Sequence, residues 1–165
     1  MPELQLVRAD HAPAILAFEL ENRDYFAASI SDRGDEYFEQ FTDRLNELLA
    51  QQEAGVGASY VLLEEDGSVL GRFNLYEMAG GTADLGYRVA KRVAGRGVAT
   101  AAVQDLCQLA SSQHGLRVLR AAASDTNVAS QRVLIKAGFV LDGPANPAAL
   151  GGKPGHWYRR DLTGD

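Results

Sequence analysis

Residues 84–99 read Asp84-Leu85-Gly86-Tyr87-Arg88-Val89-Ala90-Lys91-Arg92-Val93-Ala94-Gly95-Arg96-Gly97-Val98-Ala99. The first half has the two-residue period of a strand, so Leu85, Tyr87 and Val89 face one way and Asp84, Gly86 and Arg88 the other. The second half runs through two glycines into a helix. Glycine lets the backbone curl until successive N–H groups converge, and the positive end of the helix dipole adds to them. A strand, a glycine loop and a helix start therefore predict an anion site, with Arg88, Lys91, Arg92 and Arg96 around it and a polyphosphate as the natural guest. A dinucleotide fingerprint needs a third glycine near Thr100 and a later acidic residue, and a P-loop needs G-x-x-x-x-G-K-[ST]. The sequence supplies neither pattern.

Upstream, Tyr60–Glu65 and Val69–Glu77 are strand-like and joined by Asp66-Gly67, a strong hairpin signal. With the turn at Ala79-Gly80-Gly81 and the strand Ala83–Ala90, they predict a three-stranded meander. Further upstream, Leu4–Val7 suits a first strand. Asp10 is a candidate cap for a helix carrying Ile15, Leu16 and Leu20. Glu21–Gly34 reads as a loop or short broken helix. Phe38, Phe41, Leu45, Leu48 and Leu49 predict one long amphipathic helix from Asp35 to Gly55. Downstream, Val98–His114 is a helix, Val118–Ala123 a strand and Asn127–Ala137 a second helix. Phe139–Leu141 and Trp157–Leu162 are final strands around a Pro- and Gly-rich loop. The strand, helix and strand from 83 to 123 predict a right-handed parallel unit in a mixed sheet.

Leu85-Gly86-Tyr87, Arg92-x-x-Gly95-x-Gly97-x-Ala99, Asn127-x-x-Ser130 and Lys136-x-Gly138-Phe139 resemble the motifs of the GCN5-related N-acetyltransferase (GNAT) superfamily. Within it the chain is most similar to the RimJ/RimL-like branch of ribosomal-protein N-terminal acetyltransferases, a likeness extended by Gly152-Lys153-Pro154-Gly155-His156-Trp157. The resemblance implies a mixed α/β fold. Its mostly antiparallel sheet would have six to seven strands, splayed between the fourth and fifth and flanked by about four helices, as one domain over 1–165. It implies acetyl-CoA as donor, with its pyrophosphate on the amides of Arg92, Val93, Ala94, Gly95, Arg96, Gly97, Val98, Ala99 and Thr100. Its pantetheine would lie along the open edge of Arg88, Val89 and Ala90.

Acetyl transfer to an amine needs a neutral amine, a polarised carbonyl and a protonated leaving thiolate. Asp84 stands where the branch commonly carries a carboxylate and is assigned as general base, with Glu77 as its rival. The tyrosine that many superfamily members use as acid falls at Leu134 here. The branch instead implies Ser130 as proton donor or thiol partner, with Asn127 anchoring the pantetheine and also suited to cap the helix. The resemblance places the acceptor near Asn22, Tyr25 and Phe26 and near Trp157 and Tyr158. Cys107 reads as a buried small hydrophobe, and His114 as a helix-end charge rather than a catalyst.

Composition narrows the alternatives. The chain has 165 residues and a net charge of −6, with 5 basic and 16 acidic side chains in residues 1–80 against 11 and 6 in residues 81–165. A pI near 5.1 argues against nucleic acid as a partner. No apolar run approaches the ~20 residues of a membrane span, and the N-terminus lacks a signal-peptide pattern, so a cytoplasmic protein without membrane partner is expected. One cysteine and no zinc-like spacing predict no metal. The acceptor is read as an amine, on a protein N-terminus or a small molecule, and a non-catalytic acyl-CoA-binding module is the reading from another class. Monomer and homodimer both stay open.

Overall fold

The structure is a computed structural model that describes residues 2–28, 32–150 and 152–162. Residues 29–31 of the Glu21–Gly34 stretch and residue 151 of the Pro- and Gly-rich loop lie outside the described residues. The chain forms β1 (Glu3–Leu6), α1 (Ala12–Glu21), α2 (Arg23–Ala27), α3 (Asp35–Glu39), α4 (Phe41–Glu53), β2 (Ala58–Leu63), β3 (Val69–Ala79) and β4 (Thr82–Val89). It continues with α5 (Val98–His114), β5 (Val118–Ser124), α6 (Val128–Lys136), β6 (Val140–Ala145) and β7 (Gly155–Asp161). The seven strands make one sheet in the order β1-β2-β3-β4-β5-β7-β6, antiparallel except for β4 and β5.

The meander forms as the sequence predicts, with Asp66 Oδ1 accepting from the Ser68 amide at 2.9 Å to hold the β2–β3 turn. What positions the site is the β4–β5 junction. These strands pair only over Thr82–Asp84 and Val118–Arg120, so the rest of β4 stands open on that side. The Ala90 N–H donates to the Leu70 carbonyl at 2.7 Å. Alternation along the strand therefore directs the N–H and C=O of Tyr87 and Val89 away from β3 and into the gap. Of the expected pantetheine edge Arg88–Ala90, Val89 keeps an outward-facing backbone, whereas Ala90 is already bonded to β3.

The sheet buries an apolar layer on each face. One includes Leu75, Leu85, Leu106, Leu119, Leu134 and Phe139 under α5 and α6. The other includes Val7, Ile15, Phe18, Phe41 and Leu45 under α1 and α4. Ile15 lies in the core as expected, but Leu20 is about half exposed. The buried stripe of α1 is instead Ile15, Phe18, Glu19 and, one turn on, Asn22. The long helix expected from Asp35 is divided at Gln40, which leaves the helical region with φ −104° and ψ 22°. The break lets Phe38 lie under the Arg23 guanidinium at 4.6 Å while Phe41 enters the core. Cys107 is buried, and burial pushes its thiol up. Burial lowers the His114 imidazole, which disfavours the charged form at this helix end, and its Nε2 lies 2.8 Å from the Tyr60 hydroxyl. Among the described residues no helix is long and apolar enough to cross a membrane.

Candidate active site

The open edge of β4, the loop after it, the start of α5 and one side of α6 enclose a cleft of about 390 Å³. Gly95 and Gly97 lie in the left-handed region at φ +75° and +76°, and a Cβ built on either meets nothing within 4 Å. Gly97 is the N-cap of the 17-residue α5 and provides no side-chain cap. The first bond into Gly97 comes from the Ala101 amide at 3.0 Å, so the amides of Val98, Ala99 and Thr100 have no intrahelical partner. An open glycine cradle beneath unpaired amides fits the diphosphate of a CoA-type donor.

Val93, Ala94, Gly95, Gly97, Ala99 and Thr100 line this cleft, while Arg92, Arg96 and Val98 do not. Arg92 turns to the Ser68 hydroxyl at 3.3 Å. Arg88 borders the cleft, but its guanidinium does not stand free beside the loop: it donates to Glu19 at 3.2 Å and stacks on Phe26 at 4.7 Å. Arg132 and Lys136 from α6 also line the cleft, two cations that sequence reasoning did not name. Their i, i+4 spacing was the available signal. Asn127 borders the cleft and caps α6, accepting from the Ser130 amide at 3.2 Å.

Ser130 also faces the cleft, and its Oγ lies 3.0 Å from the Tyr87 hydroxyl. Tyr87 stacks on Phe73 and is held by burial in the un-ionised form, its phenol pushed up to about 12. Leu134 is fully buried and takes no part in the cleft. Sequence reasoning placed Tyr87 on the strand face opposite Asp84 and gave its hydroxyl no role.

A second cleft, of about 590 Å³, opens where Asp84 ends the β4–β5 pairing. Tyr76, Glu77, Asp84, Gly86, Ala122 and Trp157 help to line it. Asp84 is half-buried, and burial raises its carboxyl. Arg120, its register partner on β5, opposes the rise, while Glu77 adds to it. Arg120 in turn stacks over Trp157 at 4.2 Å. Glu77 is the only non-glycine with positive φ among the described residues, at +52°, and sits in a break of the β3–β4 register. The structure thus brings Asp84, Glu77 and Trp157 together.

The other expected acceptor residues lie elsewhere. Asn22 is buried, donating to the Phe18 carbonyl at 2.9 Å and accepting from the Lys91 amide at 3.0 Å, so it ties the α1–α2 corner to the glycine loop. Tyr25 and Phe26 border the first cleft rather than the second. Tyr158 joins the core under α5 because strand neighbours face opposite ways and Trp157 occupies the other side. The element that sequence reasoning missed altogether is Glu19. It is 1% exposed and holds Arg72 at 2.7 Å, Arg33 at 3.1 Å and Arg88 at 3.2 Å. Burial alone would raise this carboxyl, but the three guanidiniums outweigh it and hold it below the usual range. Among the described residues no group of three His, Cys, Asp or Glu side chains is placed to hold a metal.

Residues 3–140 match the family described as acetyltransferase (GNAT) domain. Probable N-acetyltransferase YjcK of Bacillus subtilis (strain 168) is 30% identical over 139 residues, covering 79% of this chain and 75% of that protein. The ribosomal-protein-S5-alanine acetyltransferase from Vibrio fischeri superposes with a TM-score of 0.89 at 19% identity, over 98% of this chain and 93% of that one. RimL, the ribosomal L7/L12 alpha-N-protein acetyltransferase in complex with coenzyme A, gives 0.87 at 20% identity, over 99% and 96%. At such identities the superpositions speak for the fold.

Proposed function

The chain belongs to the GNAT acetyltransferase family, and on that premise we propose that it transfers an acetyl group from acetyl-CoA to the α-amine of a protein N-terminus. The transfer is by direct attack in a ternary complex, and the enzyme works in the cytoplasm with residues 1–165 as one domain. Its seven-stranded mixed sheet is the fold of that family. The observation that carries the reading is the splay: β4 releases β5 at Asp84, with a phosphate-ready cleft on one side and a carboxylate-bearing one on the other. The names of two superposed relatives support a protein α-amine as acceptor, and that of a third, a spermidine N-acetyltransferase, supports the small-amine alternative.

Acetyl-CoA supplies the acetyl thioester. The amides of Gly95–Thr100 and the cations of Arg132 and Lys136 would hold its diphosphate, whereas those of Val93 and Ala94 already donate to the Ala90 and Lys91 carbonyls; the outward backbone of Val89 and Tyr87 would pair with its pantetheine, flanked by Asn127. An α-amine with pKa near 8 is roughly 10% neutral at pH 7, against well under 1% for a lysine amine. Asp84 therefore has a modest task as general base, taking the proton lost by the amine, and its raised carboxyl suits it better than an exposed one. Glu77, of like charge, helps to keep that carboxyl raised. Ser130, oriented by Tyr87, gives a hydrogen bond or proton to the leaving thiolate, and Trp157 walls the acceptor side.

Thiol release from acetyl-CoA against a panel of amines tests the reading: release with peptides bearing a free α-amine supports it. Greater release with polyamines or amino-acid conjugates would favour the small-molecule alternative, and tight CoA binding without release would favour the sensor. Asp84→Asn should lower kcat/KM by about a hundredfold, and Glu77→Gln by less. Because the base works only when ionised, the wild-type rate should fall as pH drops through the raised Asp84 value. Ser130→Ala should slow turnover several-fold, since a thiolate needs little help near neutral pH; an unaltered rate at every pH would remove Ser130 from the acid role.

A further inference from the structure

On β3 the residues opposite Asp84, Gly86 and Arg88 are Tyr76, Asn74 and Arg72, so all six share one face of the sheet. Arg72 and Asn74 are 3% and 8% exposed. Arg72 uses Nη1 for Glu19 at 2.7 Å and for the Tyr37 hydroxyl at 3.1 Å. Among the described residues, its Nε and the Oδ1 of Asn74 have no hydrogen-bond partner. Buried polar atoms are paired in the great majority of cases, and leaving one unpaired costs about 1–3 kcal/mol. Here an orphan donor and an orphan acceptor stand two residues apart on one strand.

Both residues line a pocket of about 190 Å³ with Arg33, Tyr37, Gln51 and Tyr76. Gln51 and Tyr76 also line the cleft of Asp84, so the two spaces adjoin. The Tyr76 ring lies against Gly86, where a Cβ would be 3.0 Å from its Cε2, and borders both spaces.

We propose that Asn74 Oδ1 and Arg72 Nε form a subsite for the backbone N–H and C=O of one acceptor residue, which point the same way in an extended chain, an inference that rests on the acetyltransferase reading above. The N–H of Arg72 meets a peptide carbonyl, and the Asn74 oxygen meets a peptide N–H. A carboxylate offers no donor to Asn74, and an ammonium offers no acceptor to Arg72. Spacing selects which residue. Asp84 and Gly86, the partner of Asn74, are separated by two strand steps, about 7 Å. An extended chain whose amine sits at Asp84 places the nitrogen of its third residue about 7 Å away. The subsite therefore distinguishes a peptide of three or more residues from a simple amine.

The test is thiol release from acetyl-CoA with trialanine amide, with the same peptide N-methylated at its third residue, and with n-butylamine. On the wild-type protein N-methylation should lower kcat/KM about tenfold, which requires no variant to fold. In Asn74→Ala that penalty should vanish, and the ratio of kcat/KM for the unmethylated peptide over butylamine should fall about tenfold. Absence of a methylation penalty in the wild type, or the same penalty in Asn74→Ala, overturns the subsite while acetyl transfer itself stands. A free carboxylate preferred over its amide also overturns it, since Asn74 would then present its amino group. No release with any amine overturns the acetyltransferase reading and the subsite with it.

Discussion

Exchanging Gly97 for glutamate is expected to abolish acetyl-CoA binding, with at least a hundredfold loss of affinity by titration calorimetry and a retained fold by circular dichroism. Two effects combine. The residue at φ +76° caps α5 in a conformation that costs a non-glycine residue about 1 kcal/mol. The new carboxylate would also enter the open space before the amides of Val98–Thr100, where the donor's diphosphate is held, and compete with it for the helix end. Gly97→Ala separates the two, because its Cβ meets nothing within 4 Å. It should show the conformational cost with far weaker loss of affinity. Equal affinity in the glutamate variant and the wild type would remove the glycine loop from donor binding.

Glu19→Gln is expected to have the largest effect on stability. The carboxylate is 1% exposed and pairs with Arg72, whose own side chain is 4% exposed, as well as with Arg33 and Arg88. Removing one partner from a buried ionic cluster leaves charge without compensation and costs about 3–5 kcal/mol, a large part of the 5–15 kcal/mol that holds a domain folded. The midpoint of urea unfolding should fall accordingly. The pH dependence has a definite sign. The folded carboxyl lies below its ordinary value of 4.5, so its contribution is present above that value and is lost as pH falls through the folded one. A variant as stable as the wild type would mean that the arginines are held by other groups.

The same residue shows where sequence reading stops. Glu19 reaches partners 14, 53 and 69 positions away, and no local period or motif links such distances. The acidic and basic halves of the chain meet there: the excess positive charge at Arg88, assigned from sequence to the phosphate loop, is answered by a carboxylate of the first half. The meander, the crossover helix and the glycine loop were legible because each depends on neighbours in sequence, through strand alternation, turn chemistry or a helix cap. Asp84, Glu77 and Trp157 line one cleft because β3, β4, β5 and β7 are successive neighbours in the sheet. Tyr158, one residue from Trp157, does not, since it faces the core. Leu134, which takes the place of the family's acid tyrosine, is a core residue as expected, and the hydroxyl that reaches Ser130 comes from Tyr87 on the strand instead. The division at Gln40 was hidden because Phe38 and Phe41 keep a helical spacing across it while packing on different partners.

The central claim is tested most directly by following isotopically labelled acetyl-CoA with a peptide that carries both a free α-amine and a lysine. The account predicts that label appears on the α-nitrogen of the peptide in step with thiol release, and that none remains on the protein. Label on the lysine side chain, label bound covalently to the protein, or thiol release without acetylated peptide would contradict it.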